Sequence, residues 1–441
     1  MIGAQTALGE SQQSLARAWY TVILCMVAYI LSFVDRQVIT LLIEPIRADL
    51  GITDTQFSLI TGLAFALFYA TMGIPIAWLA DRKSRPVIIS VGIFLWSLAT
   101  ALCGTTKTFW QLFVARMGVG VGEASLSPAA YSIISDSFPR SKLGFALGVY
   151  SIGSFIGSGL AFLIGGTVIE MVTQYDAIEF PVVGVLQPWQ MTFFIVGLPG
   201  VIVAAIFFLT VRDPERKGII AGSAGFTIRD VFAYIRKHKK TFIAHFLGFG
   251  LMALTLYALL SWSPAYLIRN YGLSTRDVGI YLGILVLVSN TSGVLTSGWL
   301  ADWFTRHGIE DAPMRSGMIG SLGVVIPAVL FPFMPSLITS LLMLAVAMFF
   351  ASFPMAPSAA ALQMMAPNQM RAQVTALFFL SMNILGITGG STLVALCTDY
   401  LFGDEKAVGW SMALISSVSA VLAAISLGWG LKYFRRTLQS I

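Results

Sequence analysis

The chain has 441 residues, of which 57% are hydrophobic and only 11% charged, against roughly 25% charged in an average soluble domain. That composition excludes a soluble globular protein, and the formal net charge of +6 says nothing of nucleic acid until the positions of the basic residues are known. Cys25, Cys103 and Cys397 stand singly in or beside apolar stretches and His238, His245 and His307 are scattered. Free thiols, no metal site and no cofactor are therefore expected.

A membrane-crossing helix needs roughly 20 apolar residues. Twelve such stretches are predicted in chain order, at 19–43, 56–80, 86–105, 108–135, 143–170, 188–211, 241–268, 276–301, 316–334, 336–365, 371–398 and 407–433. The first sixteen residues are polar and show no removable leader pattern, so the first span is expected to act as the insertion signal. With both termini on one side, that side's tails and loops hold 20 of the 27 Lys and Arg, the opposite loops hold 5, and Arg36 and Arg116 are left inside. The positive-inside rule then puts both termini in the cytoplasm of a cell (inner) membrane protein, and the basic residues follow the membrane rather than a nucleic acid.

Two spans carry charges. Asp35 and Arg36 sit in the first, Arg116 and Glu123 in the fourth. A charge at the bilayer centre costs at least about 2.5–3.5 kcal/mol on the insertion scale, so such residues line a polar path or pair with one another. Arg116 and Glu123 are seven residues apart, two turns along one helix face and roughly 10 Å in rise, too far to pair directly. Each needs a partner from another helix, and Asp35 and Arg36 are the available opposites. In such a network the arginines stay charged while Asp35, and after it Glu123, can gain or lose a proton as burial and cationic neighbours pull in opposite directions. Gly118, Gly120 and Gly122 between them are not a dinucleotide fingerprint, because the run lies inside a membrane helix with no preceding strand. They are expected to let backbones approach closely, as are Gly153 and Gly157 in the fifth span.

The hydrophilic interval 212–240 divides the chain into an N-terminal six-helix bundle (1–211) and a C-terminal one (241–441). Within the interval Thr227 can cap a helix whose Ile228, Val231, Phe232 and Ile235 recur at helical spacing, which predicts an amphipathic helix lying on the cytoplasmic leaflet. The halves repeat one another. Trp78-Leu-Ala-Asp81 and Trp299-Leu-Ala-Asp302 close the second span of each half, each followed four residues later by an arginine, Arg85 or Arg306. A weaker echo pairs Pro139 with Pro367 after each half's fourth span.

The residues Gly73-Ile-Pro-Ile-Ala-Trp-Leu-Ala-Asp81-Arg82-Lys83-Ser-Arg85 resemble the loop-2/3 signature of the major facilitator superfamily, and Asp136-Ser-Phe-Pro139-Arg140-Ser-Lys142-Leu-Gly144 resembles its loop-4/5 counterpart. The resemblance covers nearly the whole chain. It implies an all-α membrane protein of twelve helices in two six-helix bundles, with binding near the midplane between repeats. It also implies a cytoplasmic latch built from Gly73, Asp81, Arg82, Arg85, Asp136, Pro139 and Arg140, with Asp302 and Arg306 as the second-half repeat. Ser32-Phe-Val-Asp35-Arg36 and Arg116 through Gly122-Glu123-Ala124-Ser125 are most similar to spinster-type transporters, although organic-anion symporters share these charges. The fifth-span run departs from the exchanger signature, having Ser158 where a proline belongs.

The expected function is therefore a proton-coupled, alternating-access transporter of an amphiphilic anion such as a lysophospholipid or a sphingosine-1-phosphate-like molecule. The lipid identity rests on the resemblance. Arg36 and Arg116 would receive the headgroup, and a Met- and Phe-rich second half, with Tyr257, Met364, Phe378 and Asn383, would offer an apolar pocket. Small organic anions such as sugar acids are the alternative substrate, and a non-transporting receptor or scaffold is the alternative class. No nucleophile elbow, phosphate loop or metalloprotease motif is present, so no enzyme is expected. Membrane lipids are the surrounding partners, and a monomer is expected because each half supplies the other's interface.

Overall fold

The structure, a computed structural model, describes residues 2–80, 82–175, 178–180, 184–216, 228–367 and 370–440. Among these, eleven helices are long and apolar enough to cross a membrane: Leu15–Leu41, Asp54–Ala80, Arg85–Cys103, Lys142–Thr173, Pro188–Thr210, Lys239–Tyr271, Thr275–Arg306, Ala312–Phe333, Leu337–Met365, Gln373–Phe402 and Glu405–Leu438. The remaining apolar stretch, read from sequence as one span at 108–135, is two helices, Phe109–Glu123 and Leu126–Ser137. The turn between them falls on Ala124 and Ser125. Ser125 folds back on Gly122, its amide and hydroxyl both donating to that carbonyl at 3.2 and 2.8 Å. Together the two pieces make the fourth span, and the twelve follow the order expected.

Just before the turn, Gly122 lets a neighbouring span come close. A Cβ at this position would lie 2.6 Å from the Trp96 amide nitrogen and 2.9 Å from the Gly92 carbonyl oxygen. Only a glycine lets the third and fourth spans meet at that separation. The first and fifth spans approach in the same manner at Gly157, where a Cβ would stand 2.7 Å from the Ile30 carbonyl oxygen.

The repeat visible in the sequence is also visible in the backbone. The second span of the first half carries a π-helical turn at Leu59–Leu63, and the second span of the second half carries one at Val286–Asn290. The tenth span breaks at Ser352–Pro354, between Leu337–Ala351 and Met355–Met365, as its counterpart, the fourth, breaks at Ala124 and Ser125. Pro75, Pro199, Pro264 and Pro327 lie inside helices, which membrane helices accommodate through neighbouring donors.

The chain forms two compact units that do not follow chain order. One is Met1–Leu42 with Leu67–Ala221, and the other is Ile43–Ala66 with Gly222–Ile441. Inside the first, Val34, Val38, Ala161 and Val196 bring the first, fifth and sixth spans together. The second has a larger core that includes Phe249, Met314, Met365, Phe378 and Leu427. The linker helix, Ile228–Lys237, docks on this core. Val231 is fully buried, Ile235 packs beside it, and the Tyr234 hydroxyl donates to the Met365 carbonyl at 2.8 Å. Val231 and Ile235 of its apolar stripe thus face protein, Phe232 is outward, and the Ile228 side chain lies outside the described residues. Thr227, the expected cap, lies outside the described residues.

Candidate functional site

The four intramembrane charges meet within the first unit. Asp35, Arg116 and Glu123 are all but fully buried. Arg36 reaches across from the first span to the fourth, its Nε donating to Glu123 Oε2 at 2.5 Å, and the Ser32 hydroxyl donates to the same oxygen at 2.6 Å. The two donors are four residues apart on the first helix, so one face presents both. The Arg36 guanidinium also stacks over Phe33 at 4.8 Å and over Tyr69 at 4.7 Å. Two turns away on the fourth span, Arg116 Nη1 donates to the Asp35 main-chain carbonyl at 3.2 Å, and the Thr100 hydroxyl donates to Asp35 Oδ2 at 3.2 Å. Each carboxylate keeps one oxygen, Asp35 Oδ1 and Glu123 Oε1, that accepts no hydrogen bond among the described residues.

At the linker-side end of the same unit, Arg85 is the hub. It is 1% exposed and opens the third span. Its Nε and amide take the two oxygens of Asp213 at 2.7 and 3.0 Å, and its Nη1 reaches Asp136 at 2.5 Å and the Ser132 hydroxyl at 2.9 Å. Nη2 donates to the Pro214 carbonyl at 2.7 Å. One guanidinium thereby ties the start of the third span, the end of the fourth and the exit from the sixth. Arg216 caps the end of the second span by donating to the carbonyls of Ala80 and Lys83 at 2.9 and 2.7 Å. Arg82 stacks on Trp78 at 4.1 Å, Pro139 caps the fifth helix, and Gly73 has open space where a side chain would be. Asp81 and the Arg140 side chain lie outside the described residues.

The second half does not use Asp302 and Arg306 in this way. Both are exposed, and Arg306 only turns back on the Asp302 carbonyl at 3.4 Å. The buried charge there is Asp311, at the start of the ninth span, held by Arg315 at 2.5 Å and by Arg435 from the end of the twelfth at 3.3 Å. The arrangement repeats with its signs exchanged: a buried arginine held by an aspartate after the sixth span in one half, a buried aspartate held by an arginine ending the twelfth in the other.

Of the residues expected to line an apolar pocket, Phe378 is 1% exposed within the core and packs on His245 at 4.7 Å. It is packing, not pocket wall. Asn383 turns its amide onto the Phe379 carbonyl at 2.8 Å and opens a π-helical segment, Asn383–Gly389. Tyr257 lies against Gly386 and Gly390 of the same span, and Met364 is partly exposed.

A family model described as Major Facilitator Superfamily matches residues 25–391. The chain belongs to the Major Facilitator Superfamily. Membership makes it a multi-pass membrane transporter and not an enzyme. It is 27% identical over 430 residues to an MFS-type efflux pump of Mycolicibacterium smegmatis, covering 96% of this chain and 94% of that one. It is 25% identical to a probable L-galactonate transporter of Escherichia coli, covering 67% and 64%. Among solved structures it is similar to a bacterial homolog of the human lysosomal transporter spinster in an inward-facing, unoccupied conformation. That similarity has a TM-score of 0.78 and 26% identity over 96% and 97% of the two chains.

This facilitator chain has a further ionic cluster that sequence reasoning missed. In the second unit, the Arg269 guanidinium grips Asp54 with both Nη atoms, at 2.6 and 2.8 Å, and Glu44 with Nε at 2.7 Å. Arg47 reaches Asp54 at 3.0 Å and Glu405 at 2.6 Å. Burial works against the charge on Arg47, but the Glu405 hydrogen bond and the Asp54 charge outweigh it and hold the guanidinium above its ordinary range. Thr55 adds two bonds to Asp399, at 2.7 and 2.6 Å. This clasp is why residues 43–66, which precede the linker by far, belong to the second unit. Its sequence signal was weak, because each member merely flanks an apolar span.

Asp54 is fully buried, and replacing it removes the main acceptor from a buried arginine, at a cost of about 3–5 kcal/mol. Ser391, which faces Gly62 beneath the clasped segment, reports the result. In a Cys397→Ser background, a Ser391→Cys thiol is expected to label at least about tenfold faster when Asp54→Asn is added, a tenfold change being roughly 1.4 kcal/mol. Equal labelling rates would show that the clasp does not hold the segment down.

Proposed function

We propose that this facilitator is a proton-coupled secondary transporter, working by alternating access, for an amphiphilic anion of the lysophospholipid or sphingoid-phosphate kind. The observation that carries the reading is the buried cluster: two carboxylates, each with an oxygen open to a proton, interleaved with two arginines in membrane helices. Protonation of Asp35 or Glu123 changes the charge facing Arg36 and Arg116, and with it their freedom to hold an anionic headgroup. Coupling then needs no further device, because one charge balance governs both proton and substrate. Asp35 is assigned the coupling proton and Glu123 the second site, with Arg36 and Arg116 as headgroup ligands. The likeness to the spinster homolog supports a spinster-type transporter, and the lipid class itself rests on the sequence resemblance.

Two other readings draw on particular observations. The Escherichia coli relative supports a sugar-acid substrate, for which the same arginines would bind a carboxylate. The mycobacterial relative, an efflux pump, supports outward export. Against a proton-exchange motif stands Ser158, which bonds back to the Ser154 carbonyl at 2.8 Å where a proline would kink the helix. The basic residues concentrated on the linker side support cytoplasmic termini in the cell membrane.

Flux into proteoliposomes, with and without a pH gradient, over a panel of lysolipids, sphingoid phosphates and sugar acids separates these readings. Acceleration of a long-chain anionic lysolipid by the gradient, with sugar acids inert, is the expected outcome. Gradient-driven sugar-acid flux alone would replace the lipid assignment. Binding without flux of any panel member would leave a receptor.

A further inference from the structure

A basic cavity of about 250 Å³ lies at the linker-side junction of the seventh and twelfth spans, its lining including Lys237, His238, Lys239, Lys240, Tyr433 and Arg436. Four of these carry positive charge and none is a carboxylate. Its floor is set by the buried Thr241 and Thr437 hydroxyls, 2.8 Å apart, with Thr437 also 3.3 Å from His238 Nδ1. On its wall Lys240 Nζ stands 4.8 Å over the Tyr433 ring. The neighbouring Arg435 is committed to Asp311, which leaves Arg436 to the cavity with no ion-pair partner among the described residues.

From this cavity an apolar stripe runs into the membrane on both helices. On the seventh span Lys240 is followed at helical spacing by Ile243 and Leu247, and on the twelfth Tyr433 is preceded by Trp429 and Ile425. All four apolar side chains are outward, from 42% exposed at Leu247 to 62% at Ile425. Trp429 stacks near Tyr433 at 4.9 Å, so the ring wall of the cavity and the apolar stripe are continuous. The Ser426 hydroxyl bonds the Ala244 carbonyl at 3.2 Å, which keeps the two helices side by side along this length.

We propose that this is a binding site for an anionic phospholipid of the linker-side leaflet, with its phosphate in the basic cavity and its acyl chains along Ile243, Leu247, Trp429 and Ile425. Basic pockets between membrane helices on the side facing anionic lipid take such headgroups. A free phosphate would use the cavity alone, whereas the outward stripe adds apolar contact that only a chain-bearing ligand can fill. The site is made of residues outside the Asp35–Arg36–Arg116–Glu123 cluster and does not depend on what the protein transports.

The test uses the purified full-length protein in detergent, with lipid retention counted by native mass spectrometry and thermal protection measured in parallel. Phosphatidylglycerol is expected to be retained saturably and to protect, while phosphatidylcholine and glycerol phosphate are not. The double variant Lys240→Gln with Arg436→Gln should bind phosphatidylglycerol at least about tenfold more weakly. Lys432→Gln, an exposed lysine one turn away outside the cavity, should change nothing. Trp429→Ala should weaken phosphatidylglycerol through the chains. These side chains sit at the surface, so unchanged melting without lipid certifies each variant as folded. Parent-like retention by the double variant would overturn the proposal, as would equal loss in Lys432→Gln, which marks diffuse attraction. Equal protection by glycerol phosphate would make it an anion site and remove the lipid.

Discussion

Asp35→Asn is expected to abolish acceleration of substrate flux by a pH gradient while leaving the protein folded. Asparagine has the shape of the acid but cannot exchange a proton at neutral pH. The Thr100 hydroxyl can still donate to its side-chain oxygen, and the bond from Arg116 goes to the Asp35 main-chain carbonyl, which the substitution does not touch. Structure is therefore retained while the titrating group is lost. Gradient-driven uptake in proteoliposomes should fall to the rate seen without a gradient, at least about tenfold below the parent, where tenfold is roughly 1.4 kcal/mol. Glu123→Gln makes the contrast. It keeps an acceptor for Ser32 but breaks the ion pair with Arg36, so that variant should lose melting temperature as well as coupling. Parent-like gradient dependence in Asp35→Asn would move the proton elsewhere.

The reading of these carboxylates was open to sequence reasoning for a specific physical reason. A charge in an apolar helix must find an opposite, and with Arg116 and Glu123 too far apart to pair, the first span had to supply both partners. Helix spacing could not say which arginine takes which acid. The structure gives Glu123 to Arg36 and sets Arg116 on the Asp35 backbone. The apolar spans were legible because burying a backbone in lipid demands long uninterrupted helices. The turn at Ala124 and Ser125 was not, since hydropathy is blind to a one-turn break inside an apolar stretch.

Charges outside the membrane were harder to assign. Asp213 and Arg216 sit in a polar linker with many similar residues, and nothing local marks them as partners of Arg85 and of the second span's last carbonyls. The Trp299–Asp302 repeat was legible as sequence but misled as chemistry. In the second half the buried ionic role has passed to Asp311, Arg315 and Arg435, with the signs exchanged. A repeat conserves where helix ends must be tied, while the charges that do it are free to swap.

The two intramembrane arginines are expected to respond differently to lysine. Arg36 is held by its Nε on Glu123 and by stacking on Phe33 and Tyr69. Lysine keeps the charge, so Glu123 is not stranded, but it loses the planar fork that stacks on rings and grips phosphate or carboxylate with two parallel bonds. Arg116 offers Nη1 to a neutral carbonyl, a bond that a lysine ammonium can replace. Arg36→Lys should accordingly lose substrate binding by about tenfold or more, roughly 1.4 kcal/mol, with melting near the parent's, while Arg116→Lys loses less. Replacement by alanine behaves otherwise. Arg36→Ala leaves the buried Glu123 carboxylate with Ser32 alone, which favours its protonation and should uncouple transport from the gradient. Ligand-induced thermal shifts and gradient-driven flux, measured on all three variants, read binding and coupling separately. If both lysine variants bind and transport like the parent, neither guanidinium is a headgroup ligand. The substrate's anionic group would then have to be recognised by other residues, or the substrate would not be an anion.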